Sequence, residues 1–216
     1  MLSRNAAFKD RQEAGKELAH IIKNFNFHAP VILALPRGGV ILGREVALLL
    51  KVPLDVLISR KLGAPGNAEY GIGAVSEDEI PFYITQALEQ YGCGSEDLGT
   101  ILDTETLELR RRIRLYRGGR PLDSVKGQTV LLIDDGLATG VTAVAAARFL
   151  KSLAPGKLIL AVPVAPAEIP LEVAGSFDQI ICPNYISNFY GVGVHYQNFE
   201  QVEDAQVLQI LQQLRG

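Results

Sequence analysis

The chain has 216 residues, 48% of them hydrophobic and 21% charged, with a formal net charge of −3. That length is enough to bury a full core, and the balance is that of an ordinary globular protein. The charge leaves no electrostatic footprint for nucleic acid or an anionic membrane, and no apolar run approaches the roughly 18 residues that span a bilayer. Cys93 and Cys182 lack metal-ligand or Cys-x-x-Cys spacing and read as reduced, buried thiols. Residues 1–5 lead into a charged helical segment rather than an apolar signal core, so a cytoplasmic protein is expected.

Strands and helices alternate. Residues 11–25 form an amphipathic helix, with Ala14, Leu18, Ile21, Ile22 and Phe25 on one face. Residues 31–35 are a short apolar strand, 40–50 a helix and 54–59 a second strand. Residues 60–73, glycine-rich and polar, read as a long loop suited to act as a lid. Residues 87–116 are mostly helical, with Leu102, Leu109, Ile113 and Tyr116 in a stripe. Strands follow at 129–134, 158–164 and 179–182, with an alanine-rich helix at 143–150 and a closing helix at 205–214. Strands apolar on both faces and separated by helices imply a doubly wound, mainly parallel α/β sheet in one domain over 1–216.

The most informative stretch is Val130-Leu131-Leu132-Ile133-Asp134-Asp135-Gly136-Leu137-Ala138-Thr139-Gly140-Val141-Thr142. An apolar strand stops at two carboxylates, and a small hydroxyl-bearing loop leads into a helix. In an open parallel sheet, ligands bind where strands end. The N–H groups at the helix start, with the Thr139 and Thr142 hydroxyls, suit a phosphate. Asp134 and Asp135 would repel that phosphate, so they need sugar hydroxyls or a hydrated Mg²⁺ beside them. Together these requirements describe a ribose 5-phosphate that carries a further phosphate group.

This segment resembles the motif with which type I phosphoribosyltransferases bind phosphoribosyl pyrophosphate (PRPP). A second motif, Leu35-Pro36-Arg37-Gly38-Gly39-Val40, is similar to the pyrophosphate loop of the same family. There, glycine N–H groups and a forked guanidinium can meet phosphate oxygens. The resemblance implies a cis peptide at Pro36-Arg37 or Arg37-Gly38. The third element runs from Ser59-Arg60-Lys61 to Glu69-Tyr70-Gly71 and resembles the flexible loop of adenine phosphoribosyltransferases, though it is several residues shorter. Ala138 stands where hypoxanthine-type enzymes carry an Asp, so Leu137 to Gly140 is closer to the adenine and uracil enzymes.

The resemblance implies a type I phosphoribosyltransferase fold with a small hood from residues 87–117, 184–199 or both. It implies displacement of pyrophosphate from PRPP by a nitrogen base, giving a nucleoside 5′-monophosphate, with Mg²⁺ as cofactor and a homodimer as the assembly. The PRPP ribose and 5′-phosphate fall to Asp134, Asp135, Gly136, Leu137, Ala138, Thr139, Gly140, Val141 and Thr142. The pyrophosphate falls to Arg37, Gly38, Gly39, Arg60 and Lys61. Lys61, Asp135 and Glu69 are the expected catalytic groups, and Asp134 and Asp135 meet the metal through water or ribose. Of the histidines, His195 alone stays a weak candidate, set among the aromatics of the tail. The competing reading is a regulator of the same fold that senses PRPP or a nucleotide without turnover.

Overall fold

The computed structural model describes residues 7–215, apart from the side chains of Glu69 and Arg215. Helix α1 (Arg11–Ile22) starts at Asp10, whose carboxylate accepts the Glu13 N–H at 2.9 Å. Ala14, Leu18 and Ile22 form its buried face. The helix stops short of Phe25, which stacks on Phe27 with the rings 5.4 Å apart. Strand β1 (Pro30–Ala34), helix α2 (Gly38–Leu50) and strand β2 (Leu54–Val56) follow as one parallel unit.

The chain then turns back on itself in three antiparallel strands, β3 (Arg60–Ala64), β4 (Asn67–Val75) and β5 (Pro81–Tyr83). Helices α3 (Thr85–Tyr91) and α4 (Ser95–Arg117) lead back to strand β6 (Thr129–Ile133) and helix α5 (Val141–Ser152). Strands β7 (Lys157–Ala161) and β8 (Val164–Pro166), helix α6 (Leu171–Ala174), and strands β9 (Gln179–Ile181) and β10 (Asn184–Ile186) come next. A 3₁₀ turn (Gly193–His195) and helix α7 (Asp204–Arg215) close the chain.

The main sheet has the order β2-β1-β6-β7-β9, parallel throughout. Side chains alternate across it, as the strand repeat of two requires. Leu33, Leu132 and Leu160 face Ala143, Ala147 and Leu150 of α5. Ile32, Leu131 and Ile159 face the other way, into a core shared with Leu18 of α1, Leu42 and Val46 of α2, and Val207 and Leu211 of α7. Helices therefore cover both faces, as expected. From β1 the chain moves outward to β2, and from β6 outward in the opposite sense to β7 and β9. The adjacent carboxyl ends of β1 and β6 are thus the switch point of the sheet.

Three expectations change. Residues 60–73 are not a loop but most of a two-stranded hairpin, with Lys61 opposite Ala74 and Ala64 opposite Asn67. Their glycines serve close strand approach: a Cβ on Gly73 would stand 2.2 Å from the Phe82 carbonyl oxygen. The helical stretch at 87–116 is two helices, because Gly92 adopts a left-handed φ of 58° and ends α3. Within α4 the expected stripe is right, with Leu109 and Tyr116 buried. Both cysteines are free, but half-buried rather than buried. Among the described residues no helix is long and apolar enough to cross a membrane.

The hairpin lobe is joined to the main sheet by a buried ion pair between Arg117 of α4 and Glu77, just beyond β4. Arg117 also donates to the Val56 carbonyl at 3.3 Å, and Glu77 accepts the Ile58 N–H at 2.8 Å. Burial outweighs the arginine's pull and holds the Glu77 carboxyl above its ordinary range. Such a pair costs much to break from one side, because the remaining charge stays buried alone. Arg117→Met should lower unfolding stability by about 3–5 kcal/mol, and adding Glu77→Gln should restore much of that loss. Urea unfolding of the two variants beside the parent chain measures both values.

Candidate active site

The switch point gathers both of the glycine-containing motifs. Leu35 at the end of β1 donates its N–H to the Ile133 carbonyl of β6 at 2.9 Å. This places the turn at residues 36–39 against the acidic pair. The Pro36–Arg37 peptide is cis, at one of the two bonds expected. A Cβ on Gly38 would lie 1.9 Å from Asp135 Oδ2, and one on Gly39 would lie 2.6 Å from the Ile133 carbonyl oxygen. At Gly39 the obstacle is backbone and leaves no room for a side chain, whereas at Gly38 it is the Asp135 carboxylate itself, so the turn and the acidic pair touch directly.

Asp134 and Asp135 leave a strand whose five residues are all buried. Desolvation, then the neighbouring Asp135, pushes the Asp134 carboxyl well above its ordinary range. Desolvation also raises Asp135, opposed by Arg11. Arg11, the first residue of α1, donates from Nε to Asp135 Oδ2 at 2.7 Å and from Nη1 to the Glu200 carbonyl at 2.7 Å. Its guanidinium lies 3.7 Å from the centre of the Phe199 ring. The Tyr196 hydroxyl donates to the Asp135 carbonyl at 2.5 Å. The Tyr196 ring packs 5.5 Å from Phe8.

Beyond the pair, Gly140 takes a φ of 74° and caps α5. A Cβ there would meet Val173 Cγ2 at 2.3 Å. A cavity of about 170 Å³ opens at this helix start, lined by Lys61, Asp134, residues 136–143, Leu160 and Val162. Ala138 and Thr139 are exposed at the loop, and Thr142 is half-buried. The hairpin is fastened beside them: Ser59 Oγ donates to the Thr142 carbonyl at 3.0 Å and to the Val75 carbonyl at 3.2 Å. Ala74 of β4 packs with Val141 and Ala145 of α5.

The expected cations separate. Lys61 lines the cavity, but Arg60, one residue earlier on the same strand, faces away and pairs with Glu105 of α4 at 2.7 Å. Consecutive residues of a strand point to opposite sides, so Arg60 and Lys61 cannot share a ligand while β3 holds its register. The Arg37 guanidinium lies 3.6 Å from Asp204 and 3.9 Å from Glu203, at the start of α7. Asp204 in turn accepts from Tyr116 and Arg111. Glu69 lies on β4, with its side chain outside the described residues. His195 stacks on Phe189 at 5.2 Å, and its carbonyl accepts the Phe8 N–H at 3.0 Å.

Among the described residues no cluster of three or more His, Cys, Asp or Glu side chains is placed to hold a metal. The two carboxylates of the pair suit a Mg²⁺ that keeps several waters and takes its remaining oxygens from a substrate. Arg11 is the site residue that sequence reasoning missed. A signal was present, since a cation in the first turn of a helix opposes the helix dipole and calls for an anionic partner elsewhere.

Comparison with known proteins agrees with this arrangement. The phosphoribosyl transferase domain family matches residues 5–198. Two Mycobacterium tuberculosis proteins, MT0597 and Rv0571c, whose names assign them provisionally to the phosphoribosyl transferases, are 36% identical over 204 residues. The match takes in 94% of this chain and 46% of each relative, so the chain spans about half their length. The crystal structure of TT1426 from Thermus thermophilus is 36% identical and covers 97% of this chain and 99% of its own, with a TM-score of 0.76. AQ2163 of Aquifex aeolicus, 14% identical with a TM-score of 0.50 over 81% of this chain and 74% of its own, shares the fold alone. An acidic pair, a glycine turn and a helix-start loop on one switch point, matched along most of the sequence, make this chain a member of the phosphoribosyl transferase family.

Proposed function

We propose that the chain is a phosphoribosyltransferase that joins a nitrogen base to C1′ of PRPP and releases pyrophosphate. The observation that carries this reading is one cavity lined by Asp134, the residue 136–142 loop and Lys61, with the Gly38 turn in contact with Asp135. The 5′-phosphate sits on the loop and the start of α5, where backbone N–H groups converge. Asp134 and Asp135 take the ribose hydroxyls, and through them or through water they hold Mg²⁺. That ion, when bound, offsets the charge of the pyrophosphate.

As the base nitrogen bonds to C1′, the bond from C1′ to the pyrophosphate oxygen breaks. Positive charge grows on the ribose and negative charge on the leaving group. Asp135 faces the first of these charges. Lys61 and the Gly38 N–H face the second, with Gly39 letting the turn come close while its own N–H stays on the Leu35 carbonyl, so catalysis rests on placed charges. Arg37 reaches the pyrophosphate by leaving Asp204, whereas Arg60, on the opposite side of β3 from Lys61, stays with Glu105. Glu69 keeps its catalytic assignment on the sequence resemblance. The hood that selects the base comes from residues 87–117 together with 184–199. The second segment is supported by Tyr196 on the Asp135 carbonyl. A cytoplasmic homodimer remains the expected state.

The second reading is a PRPP or nucleotide sensor, and one observation favours it: both expected pyrophosphate arginines are held by carboxylates. Turnover separates the two. With Mg²⁺, PRPP and a panel of nucleobases, the transferase releases pyrophosphate with at least one base, and a sensor with none. Lys61 meets a charge that exists only as pyrophosphate departs, so its loss is felt in rate more than in binding. Lys61→Ala should lower kcat on the order of a hundredfold while PRPP affinity changes much less. An equal loss in both would remove Lys61 from the transition state.

Gly38→Ala gives an independent check. The added methyl collides with Asp135 Oδ2 and lies 2.9 Å from Arg11 Nε. The variant should fold, with its melting temperature close to that of the parent chain, yet bind PRPP at least about tenfold more weakly, the size of one lost charge-assisted contact. Calorimetric titration reads the affinity. Unchanged binding would mean that the turn and the acidic pair do not form one site.

A further inference from the structure

We infer that Arg11 is the resident counter-cation of the acidic pair, a positioning residue that keeps a free divalent ion off the bare carboxylates until substrate brings one in. This deepens the reading of Asp134 and Asp135 as the ribose and metal site, and rests on it. Three observations carry it. Arg11 reaches across the fold, with Nε 2.7 Å from Asp135 Oδ2 and both side chains mostly withdrawn from solvent, at 12% and 17% exposure. Its guanidinium is fixed on two further sides, by the Glu200 carbonyl at 2.7 Å and by the Phe199 ring face at 3.7 Å. The same Asp135 oxygen abuts Gly38, so the bridge lies between the acidic pair and the pyrophosphate turn.

The charge count gives the consequence. Two carboxylates on adjacent residues carry −2 when ionised, and burial makes that charge costly. One guanidinium in contact leaves −1, too little to draw a hydrated divalent ion out of water with only two protein ligands. Pyrophosphate restores the attraction by adding its own charge and oxygens. The metal then enters as a complex with PRPP. Arg11 meanwhile holds Asp135 Oδ2 in place and the Asp135 N–H holds Asp134 Oδ1 at 2.8 Å, which leaves Asp134 Oδ2 and Asp135 Oδ1 for hydroxyls.

The test uses Mn²⁺ as the probe, followed by electron paramagnetic resonance with the whole, ligand-free protein at neutral pH. Arg11→Met removes the charge and keeps much of the stem, and Arg11→Lys keeps the charge. Arg11→Gln, which can still donate to the Glu200 carbonyl, serves as the second neutral variant if the methionine variant does not fold. The neutral variant should bind Mn²⁺ at least about tenfold more tightly than the parent, the effect of removing one unit charge a few ångströms away. The lysine variant should bind as weakly as the parent. Adding Asp135→Asn to the neutral variant should abolish the gain. A role in packing alone would move the lysine and neutral variants together, and that outcome overturns the proposal, as does unchanged Mn²⁺ affinity in a folded neutral variant. No PRPP or base is present, so the result is independent of turnover. Absence of pyrophosphate release with Arg11-dependent Mn²⁺ exclusion rejects the transferase reading alone.

Discussion

Two carboxylates at the end of a fully buried strand form the constraint around which the rest of the site is arranged. Their desolvation favours the neutral form, and Asp135 further disfavours ionisation of Asp134. Such a pair persists only where its surroundings supply compensation. Here the compensation comes from distant parts of the chain. Arg11 arrives from the first helix, 124 residues away in sequence. Tyr196 arrives from the tail and fixes the backbone at Asp135. Gly38 and Gly39 leave room for the pair by having no side chain to place there.

The second organising feature is the meeting of two sheets. The parallel sheet supplies the acidic pair and the helix start, and the antiparallel hairpin supplies Lys61. Ser59 links them through the Thr142 carbonyl, and the Arg117–Glu77 pair links them from behind through α4. The lysine is therefore held over the cavity by strand geometry, with its stem against Gly71. A charge carried on a paired strand is better oriented than one on a free loop, and orientation is what electrostatic catalysis requires.

Carboxylates also hold the arginines nearby. Asp204, at the start of α7, accepts from Tyr116 and Arg111 and faces Arg37 at 3.6 Å. Glu105 holds Arg60. These contacts tie α4 to α7 and to the hairpin.

Much of this was legible in the linear order of residues. Apolar strands alternating with amphipathic helices specify a doubly wound sheet, since each strand needs cover on both faces. The break from Ile133 to Asp134 and Asp135, followed by Gly136 and Gly140, marks the ligand end of a strand by local chemistry alone. The glycines at 63, 71 and 73 misled because composition cannot tell a glycine that frees a loop from one that lets two strands approach. Arg60 and Lys61 looked equivalent as neighbours, and only strand pairing sent them to opposite sides. Arg11 and Tyr196 lie so far from the motif in sequence that no spacing rule connects them to it. Their places depend on how α1 and the tail pack against the switch point, and long-range packing is a property of the folded chain.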